Sequence, residues 1–405
     1  MAMKKRIRSD QLKPGMYVSD LDCSWMEHSF LRNNFMVKDR ETIHQIIKEG
    51  IKQLYIDPER GLDVEDAPTV AEVSDRIDAE MIEVVKDLSG TQPRSVEQER
   101  QQAQKVFTQA QSVVKTLMQD IRVGKQIDAS DVEPIASDMM GSVFRNPHAL
   151  TSISRIKTKD EYTFMHSVSV AALSIAFARC QGMDQTTILE IGKGALLHDI
   201  GKIMTPQEVL NKPGKLTDDE FLVMKNHVVI SGEILRETSG ISKIALEAVT
   251  MHHERIDGTG YPLKLKGDAI THIGQMSAIV DVYDALTSVR IYKSAWEPTL
   301  TLKKMMEWTP SHFDATLVQQ FIRCLGIYPV GTMVELKSNH LAIVIEAGEN
   351  LLKPTVMVFY SVKGHHYVNM QRVDLAKSAN NGVVKAVSAA DYDINPRIYT
   401  EILGM

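Results

Sequence analysis

Apolar positions along this chain recur with three different periods, and each period predicts a different kind of structure. Up to about residue 62 the pattern is mixed. Leu12 to Val18 (LKPGMYV) reads as a turn entering a strand, Asp39 is placed to cap a helix that runs through Lys48 and ends at Gly50, and Ile51 to Asp57 resumes as a strand. This predicts a small α/β module over residues 1–65. From about 68 to 90 and again from 95 to 122 the period becomes helical, a connector placed at 66–145. In its second stretch Ala103, Val106, Phe107, Ala110, Val113, Val114, Leu117, Met118 and Ile121 fall at three- and four-residue steps on one stripe. A stripe of this kind buries apolar area, so it predicts either a core seam or the seam of a homodimer.

Residues 146–328 keep the helical period almost throughout. After Tyr328 the period changes to runs of β-branched residues, TMVELK, LAIVIEA and TVMVFYSV, separated by Ser338-Asn339, Gly348-Glu349-Asn350 and Lys363-Gly364. The expected architecture is therefore multi-domain and mainly α: a helical unit over 146–328 with a small N-terminal α/β module and a β-rich C-terminal extension over 329–405. No internal repeat or low-complexity tract interrupts it.

Composition narrows the function classes. With 405 residues, 43% of them apolar, the chain is long enough for two or three cores. A formal net charge of -6 with interspersed signs gives no broad cationic face for duplex nucleic acid. The three cysteines, Cys23, Cys180 and Cys324, lie far apart without CxxC spacing, which predicts neither a disulfide framework nor a thiolate zinc site, and suits a reducing cytoplasm. The charged N-terminus leads into no apolar stretch, and the longest apolar-rich run, Val168 to Ala178, is too short to span a bilayer. Neither an export signal nor a membrane anchor is expected.

The chemistry concentrates in the helical unit. Of thirteen histidines, His166, His198, His227, His252 and His253 fall in contexts that suggest helix ends near acidic residues or glycines. A single histidine of this kind is usually a hydrogen-bonded core residue, but the set is harder to explain in that way. His198-Asp199 closes the apolar run ILEIGKGALL and is followed by Ile200-Gly201-Lys202, where Gly201 permits close approach. His252-His253 closes a second helical run before a glycine-rich loop, and His227 follows a capping box from Thr217 to Glu220. Asp281 and Asp284 lie three apart on one face of an otherwise apolar helix, where a carboxylate is expensive without a cation partner. A salt bridge to Arg290 is the plain alternative for Asp281, and a hydrogen bond on the helix face is the one for Asp284. A mixed imidazole and carboxylate set suits iron, manganese, nickel or zinc better than calcium.

The ordered motifs HDIGK (198–202), LNKPG (210–214), HHERIDGTGYP (252–262) and DVYDALT (281–287) resemble the HD-GYP branch of the HD phosphohydrolases, over roughly 146–328. The first module, with its KPGMYV, is similar to a domain of unassigned function often found before that unit. The resemblance implies a cyclic-dinucleotide phosphodiesterase, with His166, His198, Asp199, His227, His252, His253 and Asp281 as ligands of two divalent transition metals, iron or manganese first and nickel, cobalt or zinc next. It implies that Asp199 bridges, that Lys202 acts beside the reacting phosphate, and that Asp284, Arg290 and Lys293 contact substrate. Gly260, Tyr261 and Pro262 correspond to the signature loop at the pocket mouth, also a meeting point for signalling partners. The usual substrate of the family is cyclic di-GMP, and cyclic GMP-AMP is the alternative. A nucleotidase or alarmone hydrolase is disfavoured by the paired histidines and the GYP loop, and an inactive sensor by the complete ligand set. Two departures stand out. Tyr162, with Glu161 before it, occupies the place of a third-metal glutamate, and Val289 and Ile291 stand where an aspartate and a proline are common.

Overall fold

The computed structural model describes residues 4–23, 30, 33–85, 95–153, 162–212, 214–288, 296–309, 311–348, 350–395 and 397–403. They form two compact units, Met1–Glu80 with Thr205–Lys225, and Met81–Met204 with Asn226–Met405.

In the first unit the strands β1 (Lys5–Arg8), β2 (Tyr17–Asp20), β3 (Phe35–Met36) and β4 (Gln53–Ile56) form an antiparallel sheet in the order β1-β4-β2-β3, with helix α1 (Arg40–Lys48) between β3 and β4. The expected cap is present: the Asp39 carboxylate accepts from the Thr42 backbone N–H at 2.8 Å. Ile7, Met16, Val18, Ile46, Leu54 and Ile56 fill the core. The return segment from Thr205 to Lys225 belongs to this unit by its packing, which residue order alone does not suggest.

Helix α2 (Val70–Val85) precedes the long helix α3 (Val96–Arg122). In the stripe of α3, Ala103, Val106, Phe107, Ala110, Val114, Leu117 and Met118 are buried. They face α4 (Glu133–Arg145), α5 (Pro147–Ile153) and α6 (Tyr162–Cys180) of the same chain. The stripe is thus a core seam, and the dimer it suggested has lost that support, because the apolar face is already covered.

Helix α6 is apolar on every side, the signature of a fully surrounded helix. Its segment Thr163–Cys180 is apolar enough to cross a membrane by composition (mean hydropathy 1.3), but 78% of it is buried inside this chain. Around it stand α7 (Gln185–Leu197), α11 (His272–Thr287) and α13 (Ala315–Leu325), with α8 (Gln207–Leu210), α9 (Asp218–Glu237), α10 (Lys243–Thr250) and α12 (Pro298–Glu307) completing the helical order.

The C-terminal strands β5 (Met333–Leu336), β6 (His340–Glu346), β7 (Thr355–Ser361), β8 (His366–Asp374) and β9 (Val383–Ala386) form an antiparallel sheet in the order β8-β7-β6-β5-β9, followed by α14 (Arg397–Leu403). Two cores flank it. Met333, Leu341, Ile343 and Phe359 pack with Ile398 and Ile402 of α14 on one face, and Val334, Leu336, Ala342, Val344 and Val356 pack on the other. Central strands buried on both faces need no alternation, which is why β6 and β7 read as continuous apolar runs.

One buried group sets an acid limit on stability. His148 on α5 is 8% exposed, and burial, reinforced by the charge of Arg179, pushes its pKa down to about 4. A depressed histidine is neutral when folded and protonated when unfolded, so its contribution is full above about pH 6.5 and is lost as pH falls towards about 4, up to about 3 kcal/mol in all. Urea titrations of the wild type and of His148→Leu across this window should show a shallower pH slope in the variant, by up to about 1.4 kcal/mol per pH unit. Identical slopes would show that His148 is not held neutral.

Candidate metal centre

Five helical elements bring the candidate ligands together. His166 lies in the second turn of α6. His198 is the C-cap of α7, with Asp199 next and a 3₁₀ turn (Ile200–Met204) after it. His227 sits mid-way along α9, not near a helix end as its context suggested, on a helix opened by the expected capping box: Thr217 N–H donates to the Glu220 carboxylate at 2.6 Å. His252 and His253 follow α10, and Asp281 and Asp284 lie on α11.

Asp199, 1% exposed, is at the centre. Its Oδ2 lies 3.4 Å from His198 Nε2 and 3.7 Å from His166 Nε2, while its Oδ1 lies 3.3 Å from His227 Nε2 and 3.9 Å from His252 Nε2. The two oxygens of one carboxylate therefore face two different histidine groups. Asp281 repeats the arrangement: Oδ1 is 2.9 Å from His166 Nε2, and Oδ2 is 3.7 Å from His253 Nδ1. Among the described residues, two groups have ligand atoms close enough for an ion, namely His166, His198 and Asp199, and His227, His252 and His253.

The tautomers are fixed from behind. His198 Nδ1 lies 2.8 Å from the Ala195 carbonyl and His252 Nδ1 lies 2.6 Å from that of Val249. A carbonyl only accepts, so each Nδ1 carries the proton and each Nε2 turns a lone pair inward. Nε2 of His198, Nε2 of His252 and Oδ1 of Asp199 are buried without a hydrogen-bond partner. Orphaned acceptors at such depth are costly unless a cation meets them, so the donor set fits divalent transition metals.

Electrostatics point the same way. Burial works against ionising Asp199, but His198 and Lys202 beside it hold its carboxyl well below the usual range. Asp281 is held low against burial by the His166 hydrogen bond. Burial pushes His252 down to about 3, with the charge of His198 adding to it, and burial together with His252 drives His253 well down. Burial disfavours the His198 imidazolium, but Asp199 outweighs it and raises that group. The centre therefore presents ionised carboxylates together with neutral imidazoles at His252 and His253.

Lys202 Nζ donates to Asp199 Oδ2 at 2.5 Å and is 21% exposed, so it stands at the edge of the cluster. Asp284 differs from expectation. It is 2% exposed, its Oδ2 lies 2.6 Å from His166 Nδ1, and Ser288 Oγ donates to the same oxygen at 3.4 Å. It stands behind His166, too deep to meet a substrate, and orients the imidazole instead. Asp284→Asn should lower metal retention or turnover about 10- to 100-fold while the protein stays folded, as read by metal content after dialysis and by kcat. Wild-type values in both would remove the orienting role.

The signature loop packs against the cluster. The Tyr261 ring centroid lies 4.7 Å from that of His253, and Tyr261 N–H donates to the His253 carbonyl at 3.1 Å. A Cβ at Gly260 would come within 2.4 Å of the Arg255 nitrogen, so only glycine fits there. Pro262 follows through a cis peptide bond. Residue-type reasoning passed over Glu254: 2% exposed, it accepts from the Leu263 and Leu265 N–H groups at 2.7 and 2.9 Å and holds this loop. Its adjacency to His252-His253 was the available signal. Arg290 and Lys293, like Glu161, Val289 and Ile291, lie outside the described residues, as does the side chain of Tyr162.

A helical core with a consecutive His-Asp pair and further imidazoles converging on it defines an HD-type phosphohydrolase, a metal-dependent class. The HD-domain family model matches residues 146–317, and a family described as a domain of unknown function matches residues 4–132. A cyclic di-GMP phosphodiesterase of Pseudomonas aeruginosa is 38% identical over 393 residues, 96% of this chain and 93% of that one. On that extent of agreement, the chain belongs to the HD-GYP cyclic-dinucleotide phosphodiesterases. Two Vibrio cholerae proteins match over shorter spans. A cyclic di-GMP phosphodiesterase is 46% identical over 32% of this chain and 28% of its own, and a 3′3′-cGAMP-specific phosphodiesterase is 35% identical over 40% of this chain and 32% of its own.

Proposed function

We propose that this chain hydrolyses the phosphodiester bonds of cyclic di-GMP, giving linear pGpG and then GMP, at a pair of divalent transition metals, iron or manganese first. The single observation that carries this reading is Asp199, whose Oδ1 and Oδ2 face separate histidine groups. His166, His198, Asp199, His227, His252, His253 and Asp281 are the proposed ligands. Bound there, the metals supply a nucleophilic water at neutral pH and neutralise charge on the phosphate oxygens.

The protein's own groups do the rest. Nε2 of His198 and of His252, fixed by backbone carbonyls, present lone pairs without reorganisation. Lys202, already paired with Asp199, offers a cation to the charge that grows on the phosphate during displacement. Tyr261 against His253 forms one wall of the site, and the GYP loop is the proposed meeting point for signalling partners. Asp284 keeps His166 in one orientation. The proposed organisation is a regulatory module at 1–65, a connector at 66–145, the catalytic domain at 146–328 and the extension at 329–405, in a cytoplasmic protein.

A second substrate reading, 3′,3′-cyclic GMP-AMP, is favoured by the likeness to the Vibrio enzyme of that specificity. Guanine and adenine differ by a few hydrogen bonds, so both are to be assayed. The test combines metal analysis with chromatography of the products from each dinucleotide, using Asp199→Ala as the blank. Turnover of cyclic di-GMP in excess of cyclic GMP-AMP supports the first reading, and the reverse order supports the second. Tight binding of intact dinucleotide without turnover by metal-loaded protein makes the chain a sensor.

A further inference from the structure

Cys180 and Cys324 are 144 positions apart in sequence, yet the fold sets them side by side. Helices α6 and α13 pack with the Phe177 and Phe321 rings in edge contact, their centroids 5.1 Å apart. Three residues further along each helix stand Cys180 and Cys324, on the same faces as those rings. The Cys324 thiol lies 3.4 Å from the carbonyl of Ala176, the last-turn carbonyl one helical turn before Cys180. Both cysteines therefore sit at the α6–α13 contact, next to the paired rings. Cys180 is exposed and Cys324 is half-buried, so an oxidant meets Cys180 first.

We propose that Cys180 and Cys324 form a reversible dithiol–disulfide pair, with Cys180 as the sulfur that a hydroperoxide oxidises and Cys324 as the resolving sulfur. Each cysteine follows an arginine, Arg179 and Arg323. The neighbouring Cys324 thiol and the charges of these arginines lower the Cys180 thiol, although burial opposes them. The neighbouring Cys180 and burial push the Cys324 thiol up. That asymmetry suits an attacking thiolate beside a protonated partner.

The chemistry balances. The Cys180 thiolate attacks the terminal oxygen of the hydroperoxide, the O–O bond breaks, and the other oxygen leaves and takes up a proton, leaving Cys180 as the sulfenic acid. The Cys324 sulfur then attacks the Cys180 sulfur, the S–O bond breaks, and the departing hydroxide leaves as water with the Cys324 proton. The peroxide gains two electrons and the thiol pair loses two. Neither sulfur belongs to the metal centre, and the inference stands whichever dinucleotide is the substrate.

The test treats the full-length protein with hydrogen peroxide, blocks remaining thiols with iodoacetamide, and maps the peptides by mass spectrometry. The expected result is a linked pair of peptides carrying Cys180 and Cys324 within one chain, lost on treatment with dithiothreitol. In Cys324→Ser, peroxide should leave Cys180 as a sulfenic acid that dimedone traps, and in Cys180→Ser no linked peptide should form. Iodoacetamide-blocked Cys180 and Cys324 after peroxide would overturn the proposal. So would Cys180 recovered as sulfinic or sulfonic acid without a link, or links found only between chains.

Discussion

Asp199→Ala should lower kcat on cyclic di-GMP by about a thousand-fold or more, well beyond the roughly 10- to 100-fold effect of a supporting residue such as Asp284. The reason is positional. One oxygen of Asp199 faces His166 and His198 and the other faces His227 and His252, so it meets two members of each histidine group, whereas Asp281 meets His166 and His198 on one side and His253 alone on the other. Removing it also leaves Lys202 without its 2.5 Å partner. Metal content should fall together with kcat, measured on the same preparation by elemental analysis and by product chromatography. A variant that kept about a tenth or more of wild-type turnover, a barrier change of under about 1.4 kcal/mol, would mean that Asp199 does not link the two groups.

Gly201→Ala should be almost as damaging, through packing and not through chemistry. A Cβ at this position would lie 2.2 Å from the His227 carbonyl oxygen, 2.7 Å from the Ser231 nitrogen and 2.9 Å from Ser231 Oγ. The first two are backbone atoms of α9, which yield only if the helix moves. The Gly201 N–H donates to Ser231 Oγ at 2.8 Å, so the contact is a designed approach with no slack. Displacing α9 carries His227 away from Asp199. The expected outcome is a loss of about 3 kcal/mol in stability, with weaker metal retention, read by urea unfolding and by metal analysis after dialysis. Gly141→Ala supplies the contrast. It lies inside α4, where the nearest atom is a guanidinium nitrogen of Arg145 at 3.4 Å, an ordinary van der Waals contact, and there alanine should be neutral or gain about 0.5–1 kcal/mol. Equal effects at the two glycines would mean that the contact of the 3₁₀ turn with α9 is not tight.

Local rules in the sequence account for most of the elements. Asp39 and the pair Thr217 and Glu220 cap helices because their side chains reach N–H groups three residues away, a distance the chain itself fixes. The strands that escaped notice, β1 and β3 in the first sheet and β8 and β9 in the second, are the edges of their sheets. His366 to Asp374 is largely exposed, so nothing forces an apolar pattern on it, and a strand without that pattern is silent to periodicity. The context of His227 suggests a helix end because the residues around it carry no signal of how far α9 extends on either side.

The sequence by itself determined the helical core, α1 with the two inner strands of the N-terminal sheet, the C-terminal strands with β-branched runs, and the inventory of imidazoles and carboxylates with their order. Those follow from short-range periodicity, capping and residue chemistry. Only the tertiary structure decided which side of each group does what. It spent the α3 stripe on α4, α5 and α6, and put Asp284 behind His166 instead of before a substrate. It also joined residues 205–225 to the first unit and brought Cys180 to Cys324. Each of these depends on contacts between positions tens to hundreds of residues apart, which are set by how apolar faces cover one another and leave no trace in local pattern.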